Sequence, residues 1–142
     1  MAASGQTVVV AAGVVLNKSR THVLLSFRHA GQDQGQLWEY PGGKLEQGES
    51  AESALSRELE EELGITPESS YLLDVVVHSY GSKQVELHFY VVPSFAGEPR
   101  ALEGQVFEWC AVDELASMAF PAANQAIARK LTHWLAKNLS PT

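Results

Sequence analysis

The first third of the chain alternates between uninterrupted apolar blocks and short polar turns. Val8 to Leu16 contains five valines and no polar side chain, which is typical of a buried β-strand. The polar residues 17–20 separate this block from a second apolar run. We therefore expect two strands joined as a hairpin, at 7–16 and 22–27.

Similar apolar runs continue through the middle of the chain. The turn Gly81-Ser-Lys83 lies between two of them and predicts a second hairpin. The stretch from Phe95 to Leu102 contains a glycine and a proline, and we expect a loop there. The strands predicted in this part of the chain are 71–80, 84–92 and 106–112.

Two segments have the signals of α-helices. Ser50 is suited to cap a helix that runs to about Leu63, where Gly64 supplies a left-handed stop. Pro121 suits the first turn of a last helix that reaches about Leu139. The apolar positions of that last helix recur at helical spacing: Ile127, Leu131, Trp134 and Leu135. Hairpins and two helices predict an α/β sandwich, with a mixed sheet flanked by helices.

Composition narrows the class of protein. A length of 142 residues fits a single domain, 1–142, with a core of its own. The formal net charge of −7 argues against a nucleic-acid or membrane partner. Cys110 is the only cysteine, which excludes a disulfide framework and a thiolate zinc site. A reducing compartment follows, and we expect the protein to be cytoplasmic and monomeric.

Most of the negative charge lies in one short stretch. From Glu46 to Glu62 there are seven glutamates and one basic residue, Arg57. On a helical wheel Glu58 and Glu62 are about 40° apart, and both lie beside an apolar stripe of leucines. Glu61 lies about 60° from Glu58 on the other side, whereas Glu60 points away. The stretch is either a solvated acidic face or a site for a hard cation such as Mg²⁺ or Mn²⁺.

The wider spacing resembles a known motif. Residues 43–65 match the Nudix box. Five residues separate Gly43 from Glu49, seven separate Glu49 from Arg57, and Glu-Leu-Glu-Glu-Glu-Leu-Gly-Ile65 follows. The flanking segments resemble the MutT branch of that family, the 8-oxo-dGTP diphosphatases: "LWEYPGGKLEQGES", "GEPRALEGQVFEW" and "FPAAN". Where this chain has Ala122, that branch commonly has a second proline. Cytidine-nucleotide hydrolases share the first two segments.

The resemblance implies a Nudix fold, a nucleoside triphosphate substrate and a metal site. It implies that Mg²⁺ or Mn²⁺ is bound by the Gly42 carbonyl and by the carboxylates of Glu58, Glu61, Glu62 and Glu103. Glu58 is the candidate general base, and Arg57 is expected to pair with Glu49 and hold the loop against the helix. It implies that Arg28 contacts the substrate phosphates. The other substrate-binding candidates are Asp33, Glu39, Tyr40, Gly42, Tyr80, Val85, Pro121 and Asn124.

The predicted specificity for the oxidised nucleobase depends on Asn124. In the MutT branch the matching asparagine reads the purine edge. Guanine has acceptors at O6 and N7, whereas 8-oxoguanine has a hydrogen on N7. A side-chain amide can donate to O6 and accept from that N7–H. The alternatives are a pyrophosphatase for CTP, dCTP or another nucleotide, and a non-catalytic nucleotide sensor, which is disfavoured because no box glutamate is missing.

Overall fold

The computed structural model describes residues 7–27, 38–118, 120 and 124–138, with only the backbone of Tyr80. These residues contain β1 (Thr7–Val15), β2 (His22–Phe27), β3 (Trp38–Glu39), β4 (Gly42–Lys44), α1 (Ala51–Leu63), β5 (Thr66–Tyr80), β6 (Lys83–Ala96), β7 (Val106–Ala111), a 3-10 helix (Val112–Ser117) and α2 (Ile127–Asn138). Within the described ranges, no helix is long and apolar enough to cross a bilayer.

The strands form two sheets. The four-stranded sheet has the order β4-β1-β6-β5, and it is mixed because β1 and β6 are parallel while the other pairs are antiparallel. The three-stranded sheet, β3-β2-β7, is antiparallel. Residues of α1 and α2 pack into two separate cores. The predicted α/β sandwich, a mixed sheet flanked by helices, is confirmed.

The first predicted hairpin is present only at its turn, where Asn17 N–H donates to the His22 carbonyl at 3.0 Å. β1 and β2 share one isolated bridge, between Leu16 and Val23, and otherwise belong to different sheets. β1 instead lies in the middle of the mixed sheet, between β4 and β6. Its apolar residues are buried on both faces there, which a two-stranded hairpin would not achieve. The second hairpin, β5–β6, is present as predicted.

β5 and β6 are both longer than predicted. β5 begins at Thr66 and includes Pro67, which is tolerated because β5 is an edge strand with a register shift beside this proline. β6 continues to Ala96, so the predicted loop at 95–102 begins later than expected. Pro93 lies beyond the part of β6 that pairs with β1, so its missing N–H leaves no ladder bond unmade there.

The last helix begins later than predicted. Its α-helical residues start at Ile127, and Lys130 N–H donates to Ala126 O at 3.2 Å. Asn124 lies before the helix in a separate 3-10 turn. Pro121, the predicted first-turn residue, lies outside the described residues.

Alternate residues of β1 supply the two cores. The α1-side core contains Ala11 and Val15 with the leucines of α1, whereas the α2-side core contains Ala12 and Val14 with α2. Phe89 of β6 lies in the α2-side core, and its neighbour Tyr90 lies in the other. The sheet therefore separates the acidic helix from the core that contains Tyr40.

Candidate active site

The ends of α1 are fixed by local capping, as the sequence predicts. Ser50 accepts a hydrogen bond from Ser53 N–H at 3.1 Å, and Glu52 lies in the positive first turn. Gly64 has φ 73°, a left-handed conformation that L side chains rarely adopt. The buried stripe that anchors the helix to the sheet consists of Leu55, Leu59 and Leu63.

The exposure of the α1 glutamates agrees with the helical wheel for Glu58, Glu60 and Glu62, whereas Glu61, predicted beside the buried edge, is exposed. Glu62 is only 6% exposed and is one of two buried polar residues among those described. The side chain of Glu58 is 18% exposed and that of Glu61 is 51% exposed. Glu60 is exposed on the opposite side of the helix. A buried carboxylate beside other carboxylates is costly, which argues against a purely solubilising helix face.

Burial and neighbouring negative charges both raise the pKa of Glu62. Burial raises the pKa of this carboxyl to about 8, and a hydrogen bond with Glu58 and the charges of Glu58 and Glu103 add to the effect. The backbone N–H of Gly42 opposes it by bonding to the carboxylate. Three predicted metal ligands and the Gly42 backbone therefore lie close enough to interact.

Arg57 joins the loop to the helix, as predicted. Its Nε donates to Glu49 Oε2 at 2.7 Å and its Nη2 donates to Glu49 Oε1 at 2.9 Å. These bonds, with one from Glu46 N–H, lower the pKa of Glu49 to about 2. Nη2 also donates to the Lys44 carbonyl at 3.0 Å, and Nη1 donates to Glu58 at 3.1 Å. The guanidinium thus fixes both the loop and the candidate base.

The loop before α1 approaches the helix very closely. A Cβ atom on Gly43 would collide with the Glu58 carboxyl group. Gly43 is also paired with Ala11 of β1, which holds its backbone in place, so the Glu58 carboxyl group would have to move. Glycine at this position therefore lets Glu58 lie directly against the loop backbone.

The segment that carries Glu103 is attached to the other end of α1. Arg100 N–H donates to the Leu63 carbonyl at 2.9 Å, and Leu102 N–H donates to the Glu62 carbonyl at 3.0 Å. Helix termini leave such carbonyls without partners inside the helix. These two bonds explain why Glu103, distant in sequence, acts on Glu62.

The donor set fits a hard divalent cation in its chemistry. Carboxylates that raise each other's proton affinity are stabilised by a cation, and all donors are oxygens. The set is incomplete as it stands, because no three acid, histidine or cysteine side chains converge on one point in the described part of the chain. One reason is that the Glu61 carboxylate pairs with Arg57 instead, with Oε1 at 3.4 Å from Nη1.

Tyr40, a predicted base-binding residue, packs in the α2-side core, on the opposite face of the mixed sheet from α1. Tyr40 is 6% exposed and stacks on Phe120 with 5.2 Å between ring centroids and 3° between planes. Phe89 meets the Tyr40 ring edge-on at 5.8 Å. Asn124 is 9% exposed and begins the approach to α2. Val85 is two residues before Leu87, which packs on this core.

Several predicted residues remain untested. Arg28, Asp33 and Pro121 lie outside the described residues, and only the backbone of Tyr80 is described. Glu39 pairs with Ser26 in the three-stranded sheet, away from the box helix. Phe120 was not among the predicted residues, although it lies directly before Pro121 in a segment that resembles the base pocket.

Comparison with known proteins agrees with this architecture. The NUDIX domain family model matches residues 7–135. The 8-oxo-dGTP diphosphatase of Escherichia coli is 35% identical over 122 residues, which cover 86% of this chain and 94% of that protein. The CTP pyrophosphohydrolase of Escherichia coli is 39% identical over 101 residues, 71% of this chain and 73% of that protein. A solved structure from work on MutT of Aliivibrio salmonicida and Vibrio cholerae has a TM-score of 0.78 at 33% identity, over 90% of this chain and 98% of that one.

Proposed function

Because this chain belongs to the Nudix family of hydrolases, we propose that it hydrolyses 8-oxo-dGTP to 8-oxo-dGMP and pyrophosphate. The observation that carries the proposal is the position of Glu62, buried on α1 against Glu58 and within the electrostatic reach of Glu103. The choice of substrate is supported by a relative that covers most of this chain and is named for that reaction.

Mg²⁺ or Mn²⁺ would be held by the Gly42 carbonyl and by Glu58, Glu61, Glu62 and Glu103. A divalent cation at this place supplies positive charge to neutralise the triphosphate and the charge that develops on the phosphoryl oxygens. Nudix hydrolases generally need a divalent metal ion, and we propose that this ion is Mg²⁺ or Mn²⁺ here.

Glu58 accepts the proton of the water that attacks phosphorus, while the P–O bond between the α- and β-phosphoryl groups breaks and its electron pair stays on the oxygen of the departing group. Arg57 orients the Glu58 carboxylate through its 3.1 Å bond and is itself held by Glu49. Glu49 and Arg57 are therefore positioning residues.

Asn124 would hydrogen-bond to the nucleobase of the substrate on the other face of the sheet. The walls of this base pocket would include Tyr40, Tyr80, Val85 and Pro121. The remaining substrate contacts would come from Arg28, Asp33 and Glu39.

We propose a single domain over residues 1–142 that acts as a cytoplasmic monomer on a free nucleotide. A second candidate function is hydrolysis of CTP, favoured by the relative named CTP pyrophosphohydrolase. Both candidates share the metal site and differ only in the base pocket.

A substrate panel tests the proposal. Initial rates are measured on 8-oxo-dGTP, dGTP and CTP with Mg²⁺, with Mn²⁺ and with excess EDTA. We expect the highest kcat/KM for 8-oxo-dGTP and no turnover in EDTA. A higher kcat/KM for CTP would replace the first candidate with the second. A folded protein that turns over none of the three with either metal would point to nucleotide sensing instead.

A further inference from the structure

A groove lies between the edge strand β5 and the last helix, α2, and we call it the β5–α2 groove. Its volume is about 460 Å³. Three apolar residues line one part of it: Leu72, Leu73 and Trp134. Leu72 is 53% exposed, so the fold leaves part of this apolar surface in water. Exposed apolar surface in a concave place is typical of a site where another molecule binds.

Trp134 is held in place by two other side chains. The Arg20 guanidinium lies over its ring, 5.7 Å from the centroid, and the Tyr71 ring packs against it with 6.0 Å between centroids. Arg20 is itself bound to the end of α2, because its Nη1 donates to the Asn138 carbonyl at 3.0 Å. A wall that is already fixed loses little conformational entropy when a ligand binds.

The rest of the groove is basic, in a protein whose net charge is −7. The residues that line this part are all exposed: Arg129, Lys130, His133 and Lys137. α2 contains no acidic residue. Lys130 pairs with Asp74 at 2.8 Å, whereas Arg129 and Lys137 form no ion pair within the described part of the chain. Two cations beside an apolar surface are therefore complementary to an anionic partner.

The acidic residues of this protein lie mostly elsewhere. The segments 1–6 and 139–142 contain neither aspartate nor glutamate, so they cannot neutralise the groove. The acidic helix α1 packs on the other face of the mixed sheet from α2. We therefore look for the complementary negative charge in a separate molecule.

The combination of apolar and basic residues favours a protein segment over a nucleic acid. A nucleic-acid strand needs a row of cations along its phosphates and aromatic rings that stack on its bases. Among the residues that line the groove, Trp134 is the only aromatic one, and Arg20 covers one face of its ring. A peptide with acidic and apolar side chains matches both parts of the groove at once.

We propose that the β5–α2 groove binds a segment of another protein that combines acidic and apolar side chains. Its apolar side chains pack on Leu72, Leu73 and Trp134, and its carboxylates pair with Arg129 and Lys137. The groove contains none of the residues of the candidate active site, so the docked segment leaves that site open. This inference goes beyond the proposed hydrolysis and does not depend on it.

Peptide selection tests the proposal. A phage library of random dodecapeptides is selected on the wild-type protein and counter-selected on the double variant Arg129→Glu/Lys137→Glu. We expect the enriched peptides to contain both acidic and apolar residues. The most enriched peptide is then labelled with fluorescein and titrated by fluorescence polarisation. Its Kd should rise about tenfold or more in the double variant, because each reversed charge turns attraction into repulsion. The Kd for the wild type should also rise with salt.

Two matched controls separate the groove from general effects of charge and hydrophobicity. Lys18→Glu/Lys83→Glu makes the same change in net charge at exposed lysines elsewhere, and it should bind the peptide as the wild type does. Leu72→Ser should raise the Kd about tenfold, since an apolar contact is lost. Val77→Ser should not, although Val77 lies on the same strand and is 54% exposed. All these residues are exposed, so an unchanged Tm verifies that each variant is folded.

Four outcomes would overturn the proposal. The first is that no peptide is enriched, or that the enriched peptides lack acidic residues. The second is an equal Kd for the wild type and the double variant. The third is tighter binding of a single-stranded oligothymidylate than of any selected peptide, which would make the groove a nucleic-acid site. The fourth is a wild-type dimer in sedimentation equilibrium that the double variant does not form, which would assign the groove to a second copy of this chain.

Discussion

Arg57 and Glu49 are joined by two parallel hydrogen bonds, of 2.7 and 2.9 Å, across the turn that leads into the acidic helix. Such a fork fixes both the distance and the plane of the two groups. Because the same guanidinium reaches Glu58, the geometry of the candidate base depends on a loop residue nine positions earlier in the chain.

Replacing Arg57 by lysine should damage the site while preserving the charge. A lysine ammonium cannot form the fork and cannot reach Glu49, Glu58 and the Lys44 carbonyl together. We expect kcat to fall by about tenfold or more, since charged hydrogen bonds are worth about 1.5–3 kcal/mol each. Steady-state rates measure this, with Arg129→Lys, an exposed residue of α2, as the control. Equal rates for both variants would show that the guanidinium does not position the base.

Glu62→Gln should lower turnover by orders of magnitude and leave the fold intact. Glutamine matches the protonated carboxyl in shape, so the metal-free protein should not lose stability at pH 7, whereas a metal ligand is lost. Turnover at saturating Mg²⁺ and Tm in EDTA are compared with those of Glu60→Gln, an exposed residue of the same helix. Turnover within tenfold of wild type would remove Glu62 from the active site.

The metal-free protein should become less stable as pH rises from about 5 to 8. The pKa of Glu62 is near 4.5 in the unfolded chain and about 8 in the folded protein. Between these values the folded state holds a proton that the unfolded state has released, so the free energy of unfolding falls with pH and levels off above 8. Bound metal needs the ionised form, so activity should rise over the same range.

Thermal unfolding in EDTA across this pH range measures the effect, and Glu62→Gln is the control because it cannot titrate. The carboxyl of Glu49 does not interfere, since its lowered pKa of about 2 confines its contribution to more acid conditions, below the unfolded value of 4.5. If the variant shows the same slope as the wild type, another group is responsible.

Asn124→Ala should affect selectivity more than chemistry. Asn124 is buried and is not one of the proposed metal ligands, so the substitution should leave those ligands in place. The oxidised base would lose two hydrogen bonds, whereas guanine would lose at most one. The ratio of kcat/KM for 8-oxo-dGTP over dGTP should fall by about tenfold or more. Gln125→Ala, an exposed neighbour, is the control. A constant ratio with both activities reduced would make Asn124 structural and favour the CTP candidate.

Local signals explain what the sequence predicted well. The bounds of α1 follow from Ser50 and Gly64, and the burial of Glu62 and the exposure of Glu60 follow from helical geometry. The pairing of Arg57 with Glu49 was also predicted, because both lie within one short motif. None of these requires knowledge of a distant part of the chain.

Strand partners and the packing around Tyr40 were harder to predict because they depend on residues that are distant in sequence. The apolar run of β1 signals burial but not that β6, rather than β2, lies beside it. The stacking of Tyr40 on Phe120 has no local signal at all. Glu103 was proposed from resemblance alone, and the backbone bonds that bring it near Glu62 involve no side chain that a pattern would reveal.

The attachment of residues 100–102 to the carbonyls of Leu63 and Glu62 limits how this site could be transplanted into another scaffold. The box helix and the loop before it form one contiguous piece of sequence, yet moving that piece alone would leave Glu103 behind. The smallest portable unit is the loop and helix of residues 42–64 together with the segment at 100–103. A designer would have to rebuild the two backbone bonds between them, because those bonds set the position of the last carboxylate.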